Sequence, residues 1–144
     1  MDRKKFEELY SREVLKRNKE PYHFASIYEA DVQLEAYNPL CGDKYQLYLK
    51  EESDEGMGAA YFDGFGCALS KASTSLLMEI VEGRSREEVK SLCVCFIDAV
   101  DSGTPELLKE EELKLFADMK NFDGRLDCIK LSWQTLLDYL KKEE

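Results

Sequence analysis

An α+β fold, in which a three-stranded antiparallel sheet is covered on one face by helices, is what this sequence predicts, and three observations carry the expectation. Between residues 30 and 65, apolar and polar residues alternate over three short segments, the period of half-buried strands. From Leu69 onward the apolar spacing changes to that of helices. The connections between the strand segments are short, which favours antiparallel neighbours, and the apolar sheet face then needs helices to cover it.

Each element has its own signal. A first helix is expected over 2–19, where Phe6, Leu9, Tyr10, Val14 and Leu15 recur among charges and Pro21 follows. The first strand, over 30–37, sets Val32, Leu34 and Ala36 against Asp31, Gln33 and Glu35, and ends at the turn Asn38-Pro39. In the second, Tyr45, Leu47 and Leu49 alternate with Lys44, Gln46, Tyr48 and Lys50; the polar stretch 51–58 supplies a turn, and 59–65 resumes a strand pattern. Leu69, Ala72, Ser73, Leu76, Leu77, Ile80 and Val81 then form one helical stripe, stopped by Gly83. Lys71 and the serines near it read as the exposed side of that helix.

Ser85 with Glu88 resembles a capping box opening the next helix, whose apolar face is Val89, Leu92, Cys93, Phe96, Ile97 and Val100, and Asp101-Ser102-Gly103 ends it. Pro105 suits a first helical position, and Leu107, Leu108, Leu113, Leu115, Phe116 and Met119 predict another helix reaching about Lys120. The final helix carries Cys128 near its start, followed by Ile129, Leu131, Trp133, Leu136, Leu137 and Leu140, with Lys141 and the trailing glutamates fraying.

A chain of 144 residues is expected to form a single domain over 1–144, and a domain of that length buries roughly 70% of its unfolded surface. The composition, 44% hydrophobic and 35% charged, is that of a soluble protein, with no apolar run long enough to span a membrane. The N-terminus has positive charge but no apolar stretch behind it, so a cytoplasmic location is expected. A net charge of −10 opposes binding to phosphate backbones, so no nucleic acid partner is expected. It favours solubility, or a basic protein partner. Five cysteines in a reducing compartment leave metal binding, thiol chemistry or plain burial to account for them.

Three of those cysteines fall where the pattern changes element. Cys41 lies in the turn between the first two strands, Cys67 at the switch from strand to helix, and Cys128 at a helix start. At a helix N-terminus the free amides and the positive end of the dipole favour thiolate over thiol, which makes Cys67 and Cys128 candidates for nucleophiles or ligands. Gly42 and Gly66 flank two of the three cysteines and permit backbone conformations, and close approach to an ion, that a side chain would hinder. Asp43 lies within reach of the same ion as Cys41, and three thiolates with one carboxylate complete a four-coordinate zinc set. The long intervals between the cysteines leave this reading open against buried or incidental thiols.

The words around the cysteines speak to that choice. Tyr37-Asn38-Pro39-Leu40-Cys41-Gly42-Asp43, then Phe62-Asp63-Gly64-Phe65-Gly66-Cys67-Ala68-Leu69-Ser70-Lys71-Ala72-Ser73, then Arg125-Leu126-Asp127-Cys128-Ile129-Lys130-Leu131-Ser132-Trp133 resemble, in order, the three signature segments of the NifU-like scaffold family, which includes IscU and SufU. The IscU branch carries a histidine before the last cysteine, where this chain has Asp127, and a proline-rich chaperone motif that Asn121-Phe122-Asp123-Gly124 does not resemble. The extra helical material around 104–120 and the word Leu131-Ser132-Trp133 look like the SufU branch, although that branch usually has a basic residue where Asp127 stands.

Resemblance to SufU implies a zinc ion held by Cys41, Asp43, Cys67 and Cys128, and sulfurtransferase chemistry beside a PLP-dependent cysteine desulfurase of the SufS/IscS kind. In that scheme Cys41 leaves the metal, attacks the desulfurase persulfide and carries the sulfur to a downstream iron-sulfur scaffold or apo-protein. The alternative the family implies is an IscU-type scaffold that assembles and transfers a [2Fe-2S] cluster. With Asp127 as a competing fourth ligand, iron is a further option. A purely structural metal in a binding module is the remaining reading. Arg125 is placed to stabilise a thiolate or persulfide, or to sit on the surface. His23 is expected in a surface or packing role. Trp133, Tyr45, Tyr48 and Tyr61 are expected in the core or on strand faces, with Cys93 in the core and Cys95 as its packed or partly exposed neighbour.

Overall fold

Asp2 caps the first helix by accepting from the Lys5 amide at 2.8 Å, and the computed structural model describes residues 2–51, 56–121 and 126–142. The expectations for Arg125, for the 121–124 word beyond its first residue, for much of the 51–58 turn and for the last two glutamates lie outside the described residues. Helix α1 (Arg3–Leu9) runs into a π-helical turn (Tyr10–Val14) and on into α2 (Leu15–Lys19), so the regular helix expected over 2–19 contains a widened turn. Phe6, Tyr10, Val14 and Asn18 are buried or half-buried at a spacing of four. On an ideal α-helix that spacing drifts by about 40° per step, and a wider turn takes up the drift. Leu15, expected on the apolar face, is exposed.

The sheet is an antiparallel meander of β1 (Val32–Tyr37), β2 (Lys44–Glu51) and β3 (Met57–Phe65), in the order β1-β2-β3. Register sets Val32, Leu34 and Ala36 beside Leu49, Leu47 and Tyr45, and these beside Ala60, Phe62 and Gly64, which makes one apolar face. The alternation read from the sequence is therefore the alternation of the sheet. Residues 23–25 run parallel to β3, with the Phe62 amide donating to His23 O and the Ala25 amide to Phe62 O. His23 takes the packing role expected of it. Its ring stacks between Tyr22 and Tyr61, and its Nδ1 lies 3.0 Å from Glu82 Oε2.

Helices α3 (Ala68–Val81), α4 (Arg86–Ser102) and α6 (Leu126–Lys142) supply the cover, with α3 packed on β3 and α6, and α6 packed on β1 and α4. The Ser85 and Glu88 capping box forms as expected, with each side chain bonding the other residue's amide. Trp133 is fully buried, stacked on Phe96 with ring centroids 3.9 Å apart, and its Nε1–H donates to Ser73 Oγ at 2.9 Å.

Two expectations need correction. The serines near Lys71 are not on an exposed side: Ser70, Thr74 and Ser75 are buried along with Ser73 of the apolar stripe. Helix α3 is enclosed by the sheet, α2 and α6, so small side chains suit both of its faces, and every hydroxyl finds a partner. Ser73 donates to Ile129 O at 2.7 Å, Thr74 meets Ser132 at 2.6 Å, and Ser75 accepts from the Tyr22 amide at 2.8 Å. A buried hydroxyl bonded in this way costs little, whereas an unpaired one would cost about 1–3 kcal/mol.

The helix expected from Pro105 to about Lys120 is three short pieces: a 3₁₀ turn (Pro105–Leu107), α5 (Glu111–Ala117) and a second 3₁₀ turn (Asp118–Asn121). Leu108 breaks the run by adopting an extended backbone, which buries its side chain while Leu107 stays exposed. Arg17 ties this segment to the rest, reaching Ser75 at 3.2 Å, Glu79 at 3.4 Å and Glu112 at 2.8 Å from a largely buried position. Arg17→Ala is expected to lower stability by about 1–2 kcal/mol, since it removes a charged hydrogen-bond donor shared by three acceptors. Urea denaturation checks this, and an unchanged midpoint would mean that the pairs are fully offset by solvation.

Candidate functional site

Asn38 shapes the turn between β1 and β2. Its Oδ1 accepts from the Leu40 amide at 3.0 Å, its carbonyl accepts from the Gly42 amide at 2.8 Å, and its own amide donates to Asp43 O at 2.9 Å. Gly42 closes the turn at φ +79, a left-handed conformation that L side chains resist. The result lifts Cys41 to the surface and turns Asp43 inward, where it is only 2% exposed.

Asp43 joins two elements. Its Oδ1 accepts from the Cys67 amide at 3.0 Å, and its Oδ2 accepts from the Cys41 thiol at 3.2 Å. Cys67 is the N-cap of α3, as its place at the switch of period led one to expect, and its Sγ accepts from the Ser70 amide at 3.4 Å. The Asn18 side chain steadies the same helix end by donating to Ala68 O at 2.7 Å. Cys128 is the third residue of α6, and its Sγ lies 3.9 Å from Cys41 Sγ.

Cys41, Asp43 and Cys128 thus bring two sulfurs and a carboxylate oxygen within 4.8 Å of one another. Cys67 stands beside this set: burial pushes the Cys128 thiol above the ordinary cysteine range, and Cys67 and then Asp43 add to the effect. A cluster of acceptors that resists losing its last proton is one that a cation would relieve. Asp127 is exposed, lines a shallow groove with Tyr37, Pro39 and Lys130, and does not join the converging donors.

The donor set fits zinc in chemistry and in size. A tetrahedral ion with sulfur at about 2.3 Å and oxygen at about 2.1 Å has a sulfur-to-sulfur edge of about 3.8 Å and a sulfur-to-oxygen edge of about 3.6 Å. The matching separations are 3.9 Å between Cys41 and Cys128 and 3.2 Å between Cys41 and Asp43.

Cys93 and Cys95 lie apart from this end of the sheet. Cys93 is buried in α4, which raises its thiol to about 12, and Cys95 donates to Leu107 O at 3.2 Å. Sequence reasoning missed Tyr45 and Ser70, whose hydroxyls meet at 2.8 Å beneath the cysteines. The signal was there: Tyr45 is one strand period past Asp43, and Ser70 is three residues past a capping cysteine, where a helix places its third residue over the cap.

Comparisons with known proteins identify relatives of this chain. A family profile described as NifU-like N terminal domain matches residues 9–111. The Iron-sulfur cluster assembly scaffold protein IscU of Thermotoga maritima is 36% identical over 140 residues, covering 95% of this chain and 96% of that protein. The Zinc-dependent sulfurtransferase SufU of Bacillus subtilis is 26% identical over 137 residues, covering 94% and 92%. The crystal structure of FiSufU from Fervidobacterium islandicum AW-1 superposes with a TM-score of 0.73 at 26% identity, over 92% of this chain and 97% of that one.

Proposed function

The chain belongs to the NifU-like N-terminal domain family of iron-sulfur cluster assembly proteins, with relatives named IscU and SufU, and we propose that within it this protein is a zinc-dependent sulfur acceptor. The supporting observation is the convergence of Cys41, Asp43 and Cys128 at separations suited to one zinc ion, with Cys67 beside them and Cys41 the exposed member of the four. These four residues would hold the ion, and zinc would supply ionised thiols at neutral pH without redox chemistry of its own.

In the reaction the Cys41 thiolate attacks the terminal sulfur of a persulfide on a cysteine desulfurase. A new S–S bond forms to Cys41, the old S–S bond breaks, and the desulfurase cysteine leaves as a thiolate, so the exchange consumes no outside oxidant or reductant. As a thiol, Cys41 donates to Asp43 Oδ2, and zinc bound between the two would take the place of that proton. The partner must cover the mouth of the site. Leu40 is 91% exposed beside Cys41, and Tyr37, Lys44 and Phe65 form one row across the adjoining sheet end. Apolar side chains gathered there suit a protein surface better than water. The sulfur would pass onward to an iron-sulfur scaffold or apo-protein.

A second reading, favoured by the higher identity to a protein named IscU, makes the same residues hold a [2Fe-2S] cluster as cargo during its assembly. Metal and acid-labile sulfide content of untagged protein purified anaerobically separates the two. About one zinc per chain without sulfide, together with stimulated desulfurase turnover that Cys41→Ala abolishes, is the expected result. Iron with matching sulfide, delivered intact to an apo-protein, would replace it with the scaffold reading.

A further inference from the structure

The geometry points to Tyr45 and Ser70 as positioning residues that hold the Cys67 thiolate for the metal, through a relay of two buried hydroxyls. This rests on the metal reading above. Both residues are fully buried, Tyr45 on the inner face of β2 and Ser70 in the first turn of α3. Their oxygens are 2.8 Å apart, and Ser70 Oγ is 3.7 Å from Cys67 Sγ and 3.1 Å from Cys67 O.

Gly66 shows how tightly this floor is built. A Cβ placed on it would overlap the Tyr45 hydroxyl and stand 2.6 Å from Ser70 Oγ and 2.7 Å from Asp43 Oδ1. Three oxygens from three elements therefore crowd one point directly beside Cys67. With no side chain at 66, the phenol, the serine and the carboxylate close over the backbone.

The donors and acceptors available set the direction of the relay. A cysteine bound to metal is an acceptor only, as is an ionised aspartate. The Ser70 hydroxyl then has two acceptors on Cys67 to choose from, the carbonyl oxygen and the sulfur, and rotation about one bond moves its proton between them. Tyr45 supplies the proton that Ser70 Oγ accepts in either state. A thiol Cys67 would instead donate to Ser70 Oγ, the arrangement present here. Ser70, held in place by Tyr45, is thus a donor built beneath a ligand that can only accept, the part that outer partners play at metal centres.

Cobalt substitution reads this directly, because the sulfur-to-cobalt charge-transfer band reports electron density on the thiolates. In Ser70→Ala the lost hydrogen bond should move that band to lower energy, and competition against a chelator should show zinc affinity falling about 10-fold to 100-fold. Tyr45→Phe, which keeps the ring, should shift both in the same direction by less. The double variant should match Ser70→Ala alone, since Tyr45 acts through Ser70. If Ser70→Ala fails to fold, the band shift in Tyr45→Phe carries the test. Wild-type band position and affinity in both variants, with only a lower denaturation midpoint, would reduce the pair to a structural role and overturn the inference. Additive effects in the double variant would overturn the relay. A wild-type protein that takes up neither cobalt nor zinc would overturn the metal reading itself.

Discussion

Gly66→Ala should cost zinc affinity about a hundredfold while leaving the fold in place. The backbone at Gly66 is not left-handed, so alanine is conformationally acceptable there and the effect comes from space alone. The added methyl would sit within 3 Å of the Tyr45, Ser70 and Asp43 oxygens, closer than real Cβ atoms approach other heavy atoms. Tyr45 and Ser70 are anchored in packed elements, but Asp43 sits at the end of a turn, so the carboxylate is the group that gives way. Moving it detaches its Oδ1 from the Cys67 amide and its Oδ2 from Cys41. The core lies on the helix side of the sheet and does not depend on that turn. Circular dichroism should therefore show wild-type secondary structure, while chelator competition shows the metal held weakly. Stoichiometric zinc at wild-type affinity would mean that the floor is softer than the contacts imply.

The larger effect on stability is expected at the middle of α6. Trp133→Ala should lower the free energy of unfolding by about 3–5 kcal/mol, the usual range for removing a large aromatic from a core. A domain has about 5–15 kcal/mol in total, so the variant would lose a large share of its stability. The indole is in contact on every side. It stacks on Phe96, which in turn meets Phe116 edge-on, and its Nε1–H bonds Ser73, which itself holds Ile129 O. That chain ties α3, α4, α5 and α6 together. Trp133→Phe keeps the stack and leaves Ser73 bonded to Ile129, so a smaller loss of about 1–3 kcal/mol is expected from the lost hydrogen bond and the smaller ring. Far-UV circular dichroism against urea is the measurement, because Trp133 is the sole tryptophan and its fluorescence goes with it. A loss below about 1 kcal/mol for Trp133→Ala would show that the site collapses to fill the gap. Since Cys128 is on the same helix, the alanine variant should also lose zinc at temperatures where the others retain it.

The sequence by itself determined the sheet and most helix starts, and it marked the three cysteines of the candidate site. Val32, Leu34 and Ala36 alternate because a pleat sends successive side chains to opposite faces. Ser85 and Glu88 announce a capping box because both of its bonds are local. Cys41, Cys67 and Cys128 fall at changes of period, which topology tends to gather at one end of a sheet. What is local in the chain is legible in it.

What only the tertiary structure decided depends on neighbours distant in sequence. The buried serines of α3 looked like a polar surface, because a hydroxyl signals solvent until its partner is known, and the partners here are on α2, β2 and α6. The helix expected after Pro105 breaks at Leu108, because packing rewards burying that one side chain more than continuing the hydrogen-bond ladder. Between Asp43 and Asp127 the sequence offered no choice, since each lies within two residues of a cysteine. The β1–β2 turn drives Asp43 inward against the Cys67 amide and the start of α6 leaves Asp127 in water, a difference fixed by which way two backbones face.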